Sequence, residues 1–429
     1  MPESSKVNTA GVMWGVALIG FIVMFLSSSI KGTYQIYFRD LADFFGVGRG
    51  AFALSGALFG LSLGLFSPVA GAVCDRYGPY LCLLSGGAVA SLAFFLLGNA
   101  SEYGVFLFAY GVLAAYALAA LSFVPVGILI DRVFTRRHKG LIFAAVSNGV
   151  AIGFIVLSPL WVWLNNWMTW NSLSNYLAIA FALLITIPVL LVSRVFPVPG
   201  DTSAIEQNKN SDKVRAHLRK PLFLLLAMSF AGCGSSMAFI DIHLVPLVQE
   251  RTLSLGGGGT STVALMLSVL GLFELVGAVV VGYIAGKLNV SRLLAILYGA
   301  RALSLGMLSV THSPALFILF AVLFGLTYMG TVILTSMICL NCYGPKIKGK
   351  MFGLLFSVHQ VAVFLTAWLG GFARDVTGDY TLTTLAVTTV CLLSVFAALS
   401  LKGIKTSQSN LAVEPEPNRI AERAVTENQ

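Results

Sequence analysis

Residues 262–286 read TVALMLSVLGLFELVGAVVVGYIAG, a run of 25 residues in which Glu274 is the one charged side chain. An α-helix of about 20 apolar residues is long enough to cross the roughly 30 Å hydrocarbon core of a bilayer. A segment in lipid must also satisfy its own backbone hydrogen bonds, and a helix does so. The stretch therefore predicts a membrane-spanning helix with an acid near its centre.

The same pattern recurs along the whole chain of 429 residues. The sequence is 57% apolar and 10% charged with a mean hydropathy of +0.87, whereas soluble domains are about 25% charged. We predict an all-α membrane protein with twelve transmembrane helices, near residues 11–38, 51–73, 80–98, 104–130, 141–164, 175–196, 221–249, 262–286, 291–310, 314–342, 350–372 and 381–401.

The basic residues predict the orientation of these helices. With both termini placed inside, 21 of the 27 Lys and Arg residues fall on inner segments and four on outer ones. The positive-inside rule thus favours a multi-pass protein of the plasma membrane, the inner membrane in a bacterium, with both termini cytoplasmic. The net charge of +9 is then a topology signal, and we expect no nucleic-acid partner.

A polar break divides the chain into two halves. It predicts an N-terminal six-helix bundle (1–196), a cytoplasmic linker (197–220), a C-terminal six-helix bundle (221–405) and a disordered cytoplasmic tail (406–429). The halves are weakly repeated, since Ser28-Ser29-Ile30 aligns with Ser235-Ser236-Met237. Parallel six-helix repeats are typical of transporters whose site lies at the repeat interface near mid-membrane.

Several motifs carry a resemblance to a known family. Gly71-x-x-x-Asp75-Arg76-x-Gly78, between spans 2 and 3, resembles the signature loop of the major facilitator superfamily. The segment 37–49 and the later motifs at 148–153, 243–246 and 353–380 are similar to its monocarboxylate-porter branch. The resemblance implies two pseudo-symmetric six-helix bundles, alternating access, and an inner latch formed by Gly71, Asp75, Arg76 and Gly78.

Four charged residues lie in the interior of apolar spans, away from the span ends: Lys31, Asp241, Glu274 and Arg301. A charge within a bilayer costs at least a few kcal/mol, so it normally faces a partner or a wet cavity and marks a pathway. Lys31 and Asp241 lie in the repeat-related spans 1 and 7, and we predict that they pair as an outer gate. The alternative is that Lys31 extends toward the membrane surface without a role.

Glu274 corresponds to a position at which the resemblance implies a proton-coupling acid. The alternative is a static ion pair with Arg301, because both residues lie at similar depth, roughly 22 and 18 Å above the inner surface at about 1.5 Å per residue. The family's substrate-binding arginine one turn after this acid is replaced by Ala278. Arg301 could take its place or be purely structural.

Other polar residues lie where a cavity lining is expected. Each is either a substrate or proton-pathway contact or a residue that bonds neighbouring helices. These candidates are Tyr34, Tyr116, Asn148, His243, Tyr328, His359 and Gln360.

Together these features predict a monomeric secondary transporter that needs no cofactor or metal. Its substrate would be a small organic anion, moved by proton-coupled symport or by anion exchange. The alternative is proton-driven efflux of a hydrophobic or cationic solute through Glu274 and Asp241. An enzyme is not expected, because the sequence has no GxxxxGK[ST] phosphate loop and no HExxH zinc pair.

Overall fold

The structure is a computed structural model that describes residues 9–134, 142, 145–195, 217–252 and 258–401. Within these ranges it contains helices and no strands, and twelve helices are long and apolar enough to cross a membrane. The all-α class and the twelve predicted spans are confirmed. In chain order, α1 to α6 are Met13–Phe44, Arg49–Cys74, Pro79–Gly98, Tyr103–Ile130, Ala145–Leu164 and Trp170–Arg194, and α7 to α12 are Pro221–Thr252, Gly259–Ala285, Val290–Val310, Pro314–Tyr343, Lys350–Thr377 and Thr381–Ser400.

The predicted linker and tail fall largely outside the described residues. Only residues 217–220 of the 197–220 segment are described, and none of 406–429. The division of the chain into two bundles with these boundaries therefore remains a prediction.

Several of the helices are irregular in their interiors. Wider π-helical turns occur at Ala109–Ala114 in α4, Ala182–Thr186 in α6 and Phe239–His243 in α7. In α10 the regular helix stops after Gly325 and resumes at Gly330. Interruptions of this kind often occur at functional sites, because they redirect side chains and release backbone carbonyls.

At the end of the molecule predicted to be outer, α11 caps α2. The N-terminus of α2 follows Gly48, which has no side chain to cap it. The Asp375 carboxylate of α11 instead accepts hydrogen bonds from the backbone N–H groups of Arg49 at 2.8 Å and Gly50 at 2.7 Å. A carboxylate at a helix N-terminus is favourable electrostatically, so this contact holds the two halves together.

The close packing of α2 on α11 continues only to mid-helix. A Cβ added at Gly64 of α2 would meet the Gln360 side chain at 2.9 Å. A Cβ added at Gly71 or Gly353, nearer the predicted inner ends of α2 and α11, would meet nothing within 4 Å. The described contacts thus hold α2 against α11 on the predicted outer side, and the positions of Gly71 and Gly353 on the predicted inner side are not packed.

Candidate functional site

A cavity of about 140 Å³ lies between the two halves, where the close packing of α2 and α11 ends. Residues of α1, α2, α4, α7 and α11 line it. Its wall is largely apolar, as is usual for small-molecule sites, with a few polar groups among the apolar ones. The polar side chains of that lining are Lys31, Tyr110, Asp241, His359 and Gln360.

Lys31 and Asp241 form the predicted ion pair in the wall of this cavity. The Lys31 Nζ lies 2.6 Å from the Asp241 Oδ2, and the side chains are 27% and 16% exposed. Asp241 lies within the π-helical turn of α7, and its other oxygen accepts a hydrogen bond of 3.0 Å from the Tyr328 hydroxyl of α10. The alternative, in which Lys31 extends to the membrane surface, is therefore wrong.

Glu274 is buried beside this group without a direct partner. It is 7% exposed and makes no hydrogen bond or ion pair within the described ranges, although it lies within electrostatic range of Lys31, Asp241 and Arg301. Its backbone contacts α10, since a Cβ added at Gly325 would approach the Glu274 nitrogen at 3.2 Å. The backbone of Glu274 thus packs beside the point at which α10 is interrupted.

Arg301 is completely buried and binds backbone carbonyls and hydroxyls instead of a carboxylate. Its Nη2 donates to the carbonyls of Thr327 at 3.0 Å and Tyr328 at 2.7 Å, both in the interrupted turn of α10. Its other acceptors are the hydroxyls of Thr327, Ser236 and Thr331. The guanidinium thereby satisfies carbonyls that the interruption of α10 releases, which is necessary where water is absent.

The static pair of Glu274 with Arg301 is not present. The sequence predicted similar depths for the two residues, but helix depth does not fix the direction in which a side chain points. Helix α10 lies between them, because Gly277 of α8 packs on the backbone of Leu326 while Arg301 of α9 binds the carbonyls of Thr327 and Tyr328. Arg301 cannot reach a substrate without giving up these bonds.

The two candidate histidines occupy different surroundings. His243 is fully buried, and its Nε2 lies 2.9 Å from the Ala367 carbonyl of α11. It is also close to Gly370, where an added Cβ would clash with the imidazole at 2.7 Å, so it packs α7 on α11. His359 borders the cavity with Gln360, and its ring lies between Phe230 and Phe356.

The remaining candidates are not among the residues that line the cavity. Tyr34 accepts a hydrogen bond from Ser55 and stacks on Tyr110 with ring centroids 4.2 Å apart. Tyr116 shares a 2.9 Å hydrogen bond with Ser85 of α3, and Asn148 is exposed.

Sequence reasoning missed Tyr110, which does line the cavity. It lies in the π-helical turn of α4, which alters the helical register and hence the face on which Tyr110 lies. Its aromatic neighbours Tyr34 and Phe59 come from α1 and α2, so their proximity to Tyr110 gave no signal in the sequence.

The predicted latch is only partly described. Gly78 separates α2 from α3 with φ of +93°, a conformation that favours glycine. Arg76 is exposed and its guanidinium lies 5.2 Å from the centre of the Tyr77 ring. The side chain of Asp75 lies outside the described residues, and Gly71 has open space around it.

Comparisons with known proteins agree with this architecture. The family model described as "Major Facilitator Superfamily" matches residues 16–367, and the chain belongs to that family of transporters. A solved structure of a point mutant of the nucleoside transporter NupG superposes with a TM-score of 0.74 over 91% of this chain and 100% of the other, at 15% identity. That likeness confirms the major facilitator fold, with its two six-helix bundles.

Relatives in sequence are transporters as well. An uncharacterized MFS-type transporter, YcxA, of Bacillus subtilis is 27% identical over 90% of this chain and 93% of its own length. Monocarboxylate transporter 13 of Bos taurus is 25% identical over 86% of this chain and 84% of its own length. Monocarboxylate transporter 11 of Homo sapiens is 26% identical over 89% of this chain and 81% of its own length. The chain is therefore a multi-pass membrane transporter and not an enzyme.

Proposed function

We propose that this transporter carries a small organic anion by alternating access, through proton-coupled symport or anion exchange. The observation that carries the proposal is the ion pair of Lys31 with Asp241 in the wall of the central cavity. The relatives named as monocarboxylate transporters support a small anionic substrate.

Lys31 is the group we assign to the substrate. Among the described residues that line the cavity it is the one cation, and its ammonium is held by a single carboxylate. An incoming carboxylate can replace Asp241 at the ammonium, because the two groups offer the same charge and the same acceptor atoms. Arg301 is unsuited to this role, since its guanidinium already binds five acceptor atoms.

The two carboxyl groups supply the proposed proton coupling. When an anion binds Lys31, Asp241 loses its ionic partner while its side chain stays only 16% exposed. An unpaired charge in this surrounding is strongly unfavourable, and uptake of one proton by Asp241 or Glu274 removes the excess negative charge. Anion and proton would thus bind together and leave together, which is the defining property of a symporter.

The closed and open sides fit one state of an alternating-access cycle. The Asp375 cap on α2 closes the predicted outer side, and a Cβ added at Gly71 or Gly353, toward the predicted inner side, would meet nothing within 4 Å. We propose that release of this cap, together with closure of the loop containing Asp75 and Arg76, gives the outward-facing state. The protein would act as a monomer in the plasma membrane, with both termini cytoplasmic.

Uptake into proteoliposomes tests the proposal. With an inward proton gradient, vesicles containing the protein should accumulate at least one small carboxylate from a panel of acetate, propionate, lactate, pyruvate and oxalate. The gain should disappear when a protonophore collapses the gradient, and protein-free vesicles give the background. Accumulation of organic amines or hydrophobic cations instead would favour the efflux alternative.

A further inference from the structure

Arg301 lies outside the cavity lining, yet it is joined to the ion pair by a short chain of hydrogen bonds. Its guanidinium binds the main-chain carbonyl of Tyr328 at 2.7 Å, and the hydroxyl of the same Tyr328 donates to Asp241 at 3.0 Å. Asp241 in turn binds Lys31 at 2.6 Å. Tyr328 is therefore bound at its backbone carbonyl by Arg301. Its side-chain hydroxyl binds Asp241, the carboxylate that pairs with Lys31.

The position of Tyr328 depends on the interruption of α10. Residues 326–329 leave the regular helix. Among the backbone hydrogen bonds of the described residues, the Met329 carbonyl still accepts from the Ile333 N–H at 3.1 Å, whereas the carbonyls of Thr327 and Tyr328 accept none from the residues four ahead. Arg301 donates hydrogen bonds to the carbonyls of Thr327 and Tyr328, and its Nη1 also donates to the hydroxyl of Ser236 in α7 at 2.7 Å. Ser236 precedes Asp241 on the same helix, so Arg301 fixes the interrupted turn against the helix that carries Asp241.

We propose that Arg301 is a positioning residue of the substrate site. It holds the interrupted turn of α10 so that the Tyr328 hydroxyl reaches Asp241 and keeps this carboxylate charged and paired with Lys31. The inference deepens the proposed function, because it matters for transport only if Lys31 and Asp241 form the substrate site. It concerns the equilibrium between the charged and the protonated form of Asp241 within the protein, and so it can be tested without any substrate.

Arg251 provides a matched control within the same half of the chain. Its guanidinium binds the carbonyls of Leu308, Ser309 and Thr311 and the Thr381 hydroxyl, so its chemistry is the same as that of Arg301. It holds the C-terminal end of α9, not the interrupted turn of α10 that carries Tyr328. A conservative change at Arg251 should therefore loosen a helix end and leave Asp241 unaffected.

The test measures the reaction of Asp241 with dicyclohexylcarbodiimide, which adds to protonated carboxyl groups in membranes. Labelling of the Asp241 peptide is quantified by mass spectrometry on the full-length protein in detergent at pH 7. Loss of a hydrogen bond to a charged group changes an equilibrium by about tenfold. Tyr328→Phe and Arg301→Lys should each raise labelling about three- to tenfold, the double variant should add little, and Arg251→Lys should match wild type.

Two results would overturn the inference. In the first, Asp241 is labelled as in wild type in Arg301→Lys but more strongly in Tyr328→Phe. Arg301 would then have a structural role only. Unchanged labelling in both would show that the Tyr328 bond does not hold Asp241. If Arg301→Lys does not fold, Thr331→Val removes one acceptor of the guanidinium and should raise labelling in the same direction. Transport assays of Lys31 variants decide the proposed function separately, since labelling requires no transport.

Discussion

Lys31 and Arg301 are both cations in the membrane interior, but the protein holds them in opposite ways. Lys31 is 27% exposed, lines the cavity and has one carboxylate partner. Arg301 is completely buried and donates to two carbonyls and three hydroxyls. A carboxylate partner beside a cavity can be exchanged for a substrate, whereas carbonyls of an interrupted helix cannot. We therefore expect an intramembrane cation to contact substrate only when its partner can be replaced.

The largest expected effect is the loss of Arg301. In Arg301→Met the carbonyls and hydroxyls that bind the guanidinium lose their donor in a place without water. We expect the free energy of unfolding to fall by about 3–5 kcal/mol. Thermal unfolding in detergent checks this, with Lys31→Met as the comparison. If Lys31→Met is less stable than Arg301→Met, Arg301 is not the cation on which the stability of the fold depends more, and the contrast between the two cations is wrong.

Lys31 should show the complementary behaviour. Lys31→Gln is expected to fold, while uptake of the carboxylate that wild type transports falls by about 100-fold, which corresponds to about 2.7 kcal/mol. Lys287→Gln is the matched control, because Lys287 is exposed and contacts only Tyr283 among the described side chains. Full uptake by Lys31→Gln would remove this residue from the pathway.

Glu274 sharpens the role of the second carboxyl group. If it carries the coupled proton, Glu274→Gln should lose uptake driven by a proton gradient by about tenfold or more, since it cannot release a proton. Counterflow exchange of substrate should continue, because the exchange needs no net proton movement. Glu102→Gln, at an exposed position, serves as the control. Retention of gradient-driven uptake argues against proton coupling through Glu274.

The smallest effect is expected at the predicted outer cap. Asp375→Asn removes the charge that binds the N-terminus of α2, which should favour the outward-facing state by about 1 kcal/mol. An impermeant maleimide added from outside should then label a cysteine at Ala238, a cavity residue, about fivefold faster in a cysteine-free background. Asp379→Asn is the control, since Asp379 bonds the nearby Thr381. Equal labelling rates would show that the cap does not control access.

The sequence predicted the parts of the structure that depend on apolar length and on the repeat relation between the two halves. The twelve spans follow from their length, and the pair of Lys31 with Asp241 follows from the repeat relation of α1 and α7. Depth alone gave the wrong partner for Glu274, because it leaves the direction of the side chain open and α10 lies between α8 and α9.

The interruption of α10 was not predicted, and the role of Arg301 follows from it. Its one sequence signal is the pair Gly325 and Gly330, which border residues 326–329. Apolar helices are often bordered by glycine, so this pair alone is weak evidence for an interrupted helix. The contacts of the Thr327 and Tyr328 carbonyls with Arg301 are needed to recognise it. The cavity position of Tyr110 has the same origin, since a π-helical turn changes the face on which a residue lies.

The central claim is that an organic anion binds Lys31 in exchange for Asp241. Thermal stabilisation by the carboxylate panel tests it most directly, comparing wild type with the double variant Lys31→Gln and Asp241→Asn, which removes both charges and leaves neither unpaired. A ligand stabilises the state that binds it. We predict that at least one carboxylate raises the melting temperature of wild type and that the double variant does not respond. An equal response of both proteins would contradict the account.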